Sequence, residues 1–99
     1  MITYLKDETL DELINDKKVL IDFYADWCMP CKMLGETIEE IAENNKDVNI
    51  VKINVDEHPE LARSYGVMSI PLLLLYNDNK IEKKHVGLME KEELLDWIK

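Results

Sequence analysis

Residues 19–32 have the sequence Val-Leu-Ile-Asp-Phe-Tyr-Ala-Asp-Trp-Cys-Met-Pro-Cys-Lys, and this stretch decides the fold. Its first six residues form an almost unbroken apolar run, which predicts a strand buried on both faces. Such strands are typical of sheets that are covered by helices on both sides. Cys28 and Cys31 follow the strand and mark the start of a helix, which we expect to continue to about residue 45.

The chain before this stretch predicts one strand and one helix. Residues 3–5 are long enough only for a short edge strand. Asp7 or Thr9 can cap a first helix. The apolar face of that helix contains Leu10, Leu13 and Ile14. A polar break at residues 15–18 then separates the helix from the central strand.

The chain after the cysteines continues to alternate between helix and strand. The helix that starts there has a predicted buried stripe of Leu34, Ile38, Ile41 and Ala42. Residues 49–55 predict a second central strand. Pro59 begins and Gly66 ends a short third helix. Residues 72–76 and 81–86 flank an Asn-Asp-Asn turn and predict a β-hairpin.

The last element is a helix, and the complete order of elements predicts the fold class. The apolar residues of this helix are Leu94, Leu95 and Ile98. The order is β-α-β-α-β-α-β-β-α, in which crossovers join parallel strands and the hairpin joins antiparallel ones. We therefore expect residues 1–99 to form a single α/β domain with three α/β/α layers, in which four helices flank a mixed five-stranded sheet.

The chain is acidic, with 12 Lys or Arg, 21 Asp or Glu and a formal net charge of -9 at pH 7. Nucleic acids and anionic membrane surfaces select for basic patches, so this charge argues against both as partners. We expect a soluble monomer. The first residues lack the apolar run of a signal peptide, and no segment approaches the ~20 apolar residues of a membrane span. We therefore expect a cytoplasmic protein.

Cys28 and Cys31 lie at the start of a predicted helix, a position that allows a disulfide and favours a thiolate. In a first helical turn, positions i and i+3 have α-carbons close enough for a disulfide. The free amide groups and the positive end of the helix favour a thiolate at Cys28. Pro30 suits a helix start and removes an amide donor near the sulfurs.

Alternatives to a redox centre are a metal site and a structural disulfide. A structural zinc site needs about four ligands, whereas this chain has two cysteines and two histidines, His58 and His85, far apart in sequence. An iron–sulfur cluster is disfavoured by the same count. A disulfide across so short a loop would stabilise little, and the cytoplasm disfavours it. The residues therefore favour a redox centre.

Four segments carry a family resemblance. They are residues 22–32 (Asp-Phe-Tyr-Ala-Asp-Trp-Cys-Met-Pro-Cys-Lys), 52–56 (Lys-Ile-Asn-Val-Asp), 65–71 (Tyr-Gly-Val-Met-Ser-Ile-Pro) and 86–88 (Val-Gly-Leu). Through them the chain resembles the thioredoxin family over essentially its whole length. The resemblance implies a central strand that ends at the cysteines, and a cis peptide bond before Pro71, which faces them.

The resemblance also implies a protein-disulfide reductase that works by dithiol–disulfide exchange. It needs no bound cofactor, because the Cys28–Cys31 disulfide carries the electrons. Cys28, nearer to the helix tip, is the expected nucleophile, and Cys31 resolves the mixed disulfide. Asp22 is expected to accept the proton of Cys31, although a strand-end carboxylate bonded to backbone amides is the alternative. Lys52 is expected to pair with Asp22, the alternative being a lysine with its ammonium in water.

Binding of the substrate is expected at an apolar surface around the cysteines. The backbone of Ile70 can pair with an extended substrate segment. The residues expected to contact the substrate are Trp27, Met29, Pro30, Ile70, Pro71, Val86, Gly87 and Leu88. The expected partners are disulfide-containing proteins and a thioredoxin reductase, a flavoenzyme, which recycles the protein.

Some positions depart from the family pattern. Met29 replaces the usual glycine between the cysteines, Ser69 replaces a glycine before Ile-Pro, and Glu36 replaces a helix-kinking proline. A glutaredoxin-like or isomerase-like protein is a second hypothesis, but the aromatic or His beside the motif's Pro or Gly is missing. A third is a binding module with idle redox chemistry, which commonly loses a cysteine or the buried acid. Both are present here.

Overall fold

The computed structural model of the chain describes residues 1–15 and 18–99. Its strands and helices follow the predicted order, with most boundaries within one residue of the prediction. They are β1 (Ile2–Tyr4), α1 (Leu10–Leu13), β2 (Lys18–Tyr24), α2 (Met29–Asn44), β3 (Asn49–Asn54), α3 (Pro59–Ser64), β4 (Leu72–Asn77), β5 (Lys80–Val86) and α4 (Lys91–Trp97). The predicted polar break at residues 15–18 includes residues 16 and 17, which lie outside the described residues.

The five strands form one mixed sheet in the order β1-β3-β2-β4-β5, which confirms the predicted architecture. The central strand β2 is parallel to β3 and antiparallel to β4. The hairpin between β4 and β5 turns at Asp78 and Asn79, whose φ angles are 53° and 66°. Asn and Asp tolerate this left-handed conformation better than other side-chain-bearing residues, as hairpin turns require.

The core lies in two clusters, one on each face of the sheet. Alternate residues of β2 belong to different clusters: Ile21 and Phe23 pack with residues of α1 and α3, whereas Leu20 packs with residues of α2 and α4. These three side chains of β2 are at most 1% exposed. The continuous apolar run therefore reflects a strand covered by helices on both sides.

The helix after the cysteines has the predicted buried stripe. Its buried residues include Leu34, Ile38 and Ile41, and Ala42 is half-buried. Within the described parts of the chain, no helix is both long and apolar enough to cross a membrane. The packing of α2 against the sheet brings its N-terminus to the end of β2, where the cysteines lie.

Candidate active site

Cys28 and Cys31 form a disulfide at the N-terminus of α2, and their Cα atoms are 5.2 Å apart. Cys28 is the N-cap residue of the helix, and the backbone N–H of Cys31 donates a hydrogen bond to Cys28 Sγ at 3.3 Å. Pro30 lies in the first helical turn, where its missing N–H costs no helical hydrogen bond. Among residues 1–15 and 18–99, no three His, Cys, Asp or Glu side chains are grouped so that they could hold a metal ion.

Both cysteines are almost completely buried. Cys28 is 5% exposed and Cys31 is 2% exposed, so the first cysteine is the more accessible one, by a small margin. Two neighbouring side chains are open to solvent, Trp27 at 70% and Met29 at 64%. The indole N–H of Trp27 donates a hydrogen bond of 2.8 Å to Asp56 Oδ2, which anchors the ring beside the disulfide.

The loop before β4 lies against the disulfide. The peptide bond between Ile70 and Pro71 is cis, as the family resemblance implies. The carbonyl oxygen of Ile70 is 3.9 Å from Cys28 Sγ. The N–H of Gly87 donates a hydrogen bond of 2.9 Å to the carbonyl of Pro71. Gly87 has φ of 100°, a conformation that favours glycine.

An apolar rim, which we define as Trp27, Met29, Val86 and Leu88, is exposed around the disulfide. Val86 and Leu88 are 50% and 49% exposed. Exposed methionines not expected from the sequence extend this surface. They are Met33, which lines a shallow depression with Leu88, and Met68, which lies two residues before Ile70. The only sequence signal for Met33 is a methionine off the apolar stripe of an amphipathic helix.

Asp22 and Lys52 form a buried ion pair in the centre of the sheet. They are register partners on the parallel strands β2 and β3, so both side chains project from the same face. Lys52 Nζ is 3.6 Å from Asp22 Oδ2, and the side chains are 8% and 0% exposed. Among the described residues, neither carboxylate oxygen of Asp22 has a hydrogen-bond partner. The alternative of a carboxylate bonded to backbone amides is therefore wrong.

The environment of Asp22 raises the pKa of its carboxyl group towards neutral pH. Burial raises the pKa of Asp22 from 3.8 to about 6, and the Lys52 ammonium opposes part of this rise. Desolvation therefore outweighs the attraction of the lysine. Lys52 and Cys31 both line an open cleft of about 420 Å³, so the lysine of the ion pair and the second cysteine border the same space.

We expect Asp22→Asn to stabilise the oxidised protein. The pKa of Asp22 is higher in the folded than in the unfolded chain, so its ionisation destabilises the fold as the pH rises from about 4 through 6. At about pH 7.5 the variant should gain up to about 3 kcal/mol in the free energy of unfolding, less what the unpaired Lys52 costs. Near pH 4 most of the gain should vanish. Urea unfolding at both pH values measures this.

The matched control for that measurement is Asp47→Asn, which alters an exposed carboxylate and should change stability little at either pH. An Asp22→Asn protein that is no more stable than wild type at about pH 7.5 would contradict the assignment. So would a gain of equal size at both pH values.

Comparison with known proteins agrees with this geometry. The Thioredoxin family model matches residues 1–99. The thioredoxin of Mycoplasmoides gallisepticum is 43% identical over 91 residues, and the alignment covers 91% of each chain. The thioredoxin of Rickettsia bellii is 40% identical over 101 residues, and the alignment covers 99% of this chain and 96% of the relative. The solved structure of a mutant thioredoxin from Halobacterium salinarum NRC-1 has a TM-score of 0.89 at 41% identity, covering 98% of this chain and 87% of that one. The chain thus belongs to the thioredoxin family, oxidoreductases that act by dithiol–disulfide exchange and use a disulfide of the protein, here Cys28–Cys31, instead of a bound cofactor.

Proposed function

We propose that the protein is a cytoplasmic protein-disulfide reductase, which donates electrons to disulfide-bonded proteins and is recycled by a thioredoxin reductase, a flavoenzyme. The observation that carries this proposal is the Cys28–Cys31 disulfide at a helix N-terminus, beside the carbonyl of Ile70. Both cysteines and the buried Asp22 are retained, which argues against a binding module with idle redox chemistry. We further propose that residues 1–99 act as one domain and as a monomer, since a net charge of -9 makes copies repel one another.

In the reduced protein, Cys28 carries out the first chemical step. Its thiolate attacks one sulfur of the substrate disulfide, a bond forms between Cys28 and that sulfur, and the other substrate sulfur leaves as a thiolate. The N-terminus of α2 and the N–H of Cys31, at 3.3 Å from Cys28 Sγ, stabilise the attacking thiolate. The slightly greater exposure of Cys28 fits this order of events.

The second step resolves the mixed disulfide. The thiol of Cys31 gives its proton to the Asp22 carboxylate, directly or through one water, and its sulfur attacks Cys28. The bond between Cys28 and the substrate breaks, the second substrate sulfur leaves as a thiolate, and the substrate thiolates take up protons from Asp22 and from water. Two electrons have then passed from the protein to the substrate. A pKa of about 6 leaves Asp22 mostly ionised at neutral pH, yet basic enough to take up a proton. Lys52 limits the rise of that pKa and orients the carboxylate.

The substrate docks on the apolar rim. An extended substrate segment pairs with the backbone of Ile70 as a short β-addition, while its side chains contact the rim. Pro71 fixes this backbone beside the sulfurs, Gly87 keeps the groove open, and Pro30 removes an amide that would compete near the disulfide. Trp27 and Met29 are of residue types that are enriched at protein interfaces, and Val86 and Leu88 add apolar area beside them.

We expect Cys28→Ser to abolish the reduction of insulin disulfides by dithiothreitol beyond the uncatalysed rate, because no thiolate remains to attack the substrate. Cys31→Ser should instead accumulate a covalent complex with the substrate, since the mixed disulfide is no longer resolved. Turbidity and non-reducing electrophoresis measure the two effects. Glu43→Ser, at an exposed position in the last turn of the same helix, is the control and should behave as wild type. Unchanged rates in both cysteine variants would indicate a binding module.

We expect Leu88→Asn to weaken docking of protein substrates without affecting the sulfur chemistry. KM for insulin should rise about tenfold, the cost expected for one interface residue. Reduction of hydroxyethyl disulfide, which has no apolar side chain to contact Leu88, should stay at the wild-type rate. Ile81→Asn is the matched control, because Ile81 is 51% exposed, like Leu88 at 49%, but lies at the hairpin end of β5. Equal increases of KM in the two variants would contradict the docking assignment.

A further inference from the structure

The ammonium of Lys52 is enclosed by side chains from β1 and β2 and by Gly35 of α2. Tyr4, Lys52 and Asp22 are register partners across β1, β3 and β2, so they form a row on one face of the sheet. Tyr24 lies two residues after Asp22 on β2 and therefore projects from the same face. This is the face covered by α2, which contributes Gly35.

Two aromatic rings hold the ammonium. Lys52 Nζ lies 4.7 Å from the ring centroid of Tyr24 and 5.6 Å from that of Tyr4, both within the range of a cation–π contact. The two rings meet edge to face at 6.4 Å, so each fixes the other. Tyr4 is 45% exposed and Tyr24 is half-buried, so the rings shield the ammonium on its solvent side. Burial raises the pKa of the Tyr24 phenol above its usual value, and the ring therefore stays neutral beside the cation.

Gly35 leaves the space that the ammonium occupies. A Cβ atom added at Gly35 would lie 3.2 Å from Lys52 Nζ, closer than ordinary van der Waals contact, so the ammonium would have to shift by a few tenths of an ångström. Glycine within a helix is less stable than alanine. A glycine in the middle of α2, a helix of 16 residues, thus leaves the ammonium its full space at a cost to the helix.

We propose that Tyr4, Tyr24 and Gly35 are positioning residues, which hold the Lys52 ammonium beside Asp22 and thereby set the pH range in which Asp22 serves the redox step. The functional part rests on the proposed role of Asp22 as proton acceptor. The positioning itself is a property of the folded protein. When the rings are removed, or a methyl group at residue 35 displaces the ammonium, Lys52 Nζ moves away from Asp22, and the positive charge stabilises the carboxylate less. Asp22 then holds its proton to higher pH.

Other charged groups face the same cleft and remain in place in every variant proposed below. Asp26 comes from the loop after β2, and three further charged residues come from α2. The charged groups other than Lys52 that line the cleft are Asp26, Lys32, Glu36 and Glu39. They are exposed and screened by water, so their effect on Asp22 is smaller than that of the ammonium at 3.6 Å.

The test is the titration of the Asp22 carboxyl carbon by NMR in the oxidised protein. Wild type should titrate near pH 6. Tyr24→Leu should raise the midpoint by about 0.5 pH unit, the size of one lost cation–π contact. Tyr24→Phe, which keeps the ring, should titrate at the wild-type midpoint. Gly35→Ala should also raise it and, since alanine favours the helix, should fold.

A double-mutant comparison separates positioning from a general effect of packing. In a Lys52→Met background, Tyr24→Leu should leave the midpoint unchanged, because no ammonium remains to be positioned. Tyr65→Leu is the matched control: its ring packs against Phe23 at 5.7 Å on the other face of the sheet, and its loss should not move the midpoint. Equal shifts for Tyr24→Leu with and without Lys52, or no shift in Gly35→Ala, would overturn the proposal.

The same variants distinguish this inference from the proposed function. The titration needs no substrate, so it is independent of reductase activity. If wild type fails to reduce insulin while the midpoints shift as described, the proposed function falls and the positioning of Lys52 stands. If wild type reduces insulin but the Asp22 carboxyl carbon titrates with the same midpoint in wild type and in all variants, the positioning role falls and the reductase function stands.

Discussion

The burial of one carboxyl group in the central strand constrains the rest of the structure. Asp22 lies between Ile21 and Phe23 on a strand covered by helices on both sides, and it is fully buried. Keeping it ionised there costs about 3 kcal/mol, judged from the rise of its pKa to about 6. That is a large fraction of the ~5–15 kcal/mol by which domains of this kind are stable. The core on both sides of β2 must offset this cost.

Lys52 reduces the cost without removing it. The lysine is placed opposite Asp22 by the parallel register of β2 and β3 rather than by any local sequence signal. Its own burial is expensive, and the rings of Tyr4 and Tyr24 replace part of the water that it loses. A carboxylate fully neutralised by its partner would be a poor proton acceptor. A partial effect leaves Asp22 able to take up a proton near neutral pH, which suits its proposed role as the proton acceptor for Cys31.

Sequence patterns predicted much of the fold, because its main signals are local. The apolar run before the cysteines, the Asn-Asp turn and the Pro59 helix start each depend on a few neighbouring residues. The cis bond before Pro71 came from the family resemblance, since cis bonds are a minority even before proline. The environment of Lys52 was not predictable in this way. Tyr4 and Gly35 reach it only through a register between strands distant in the chain and through the packing of α2.

The central claim is that Asp22 takes the proton of Cys31 during resolution. It is tested most directly with the reduced protein carrying thionitrobenzoate on Cys28, because its release, followed by absorbance, reports the attack of Cys31 alone. The release rate of wild type should rise as the pH passes through about 6. Asp22→Asn should be at least about tenfold slower at neutral pH and should lack this rise. Equal release rates and equal pH profiles in the two proteins would contradict it.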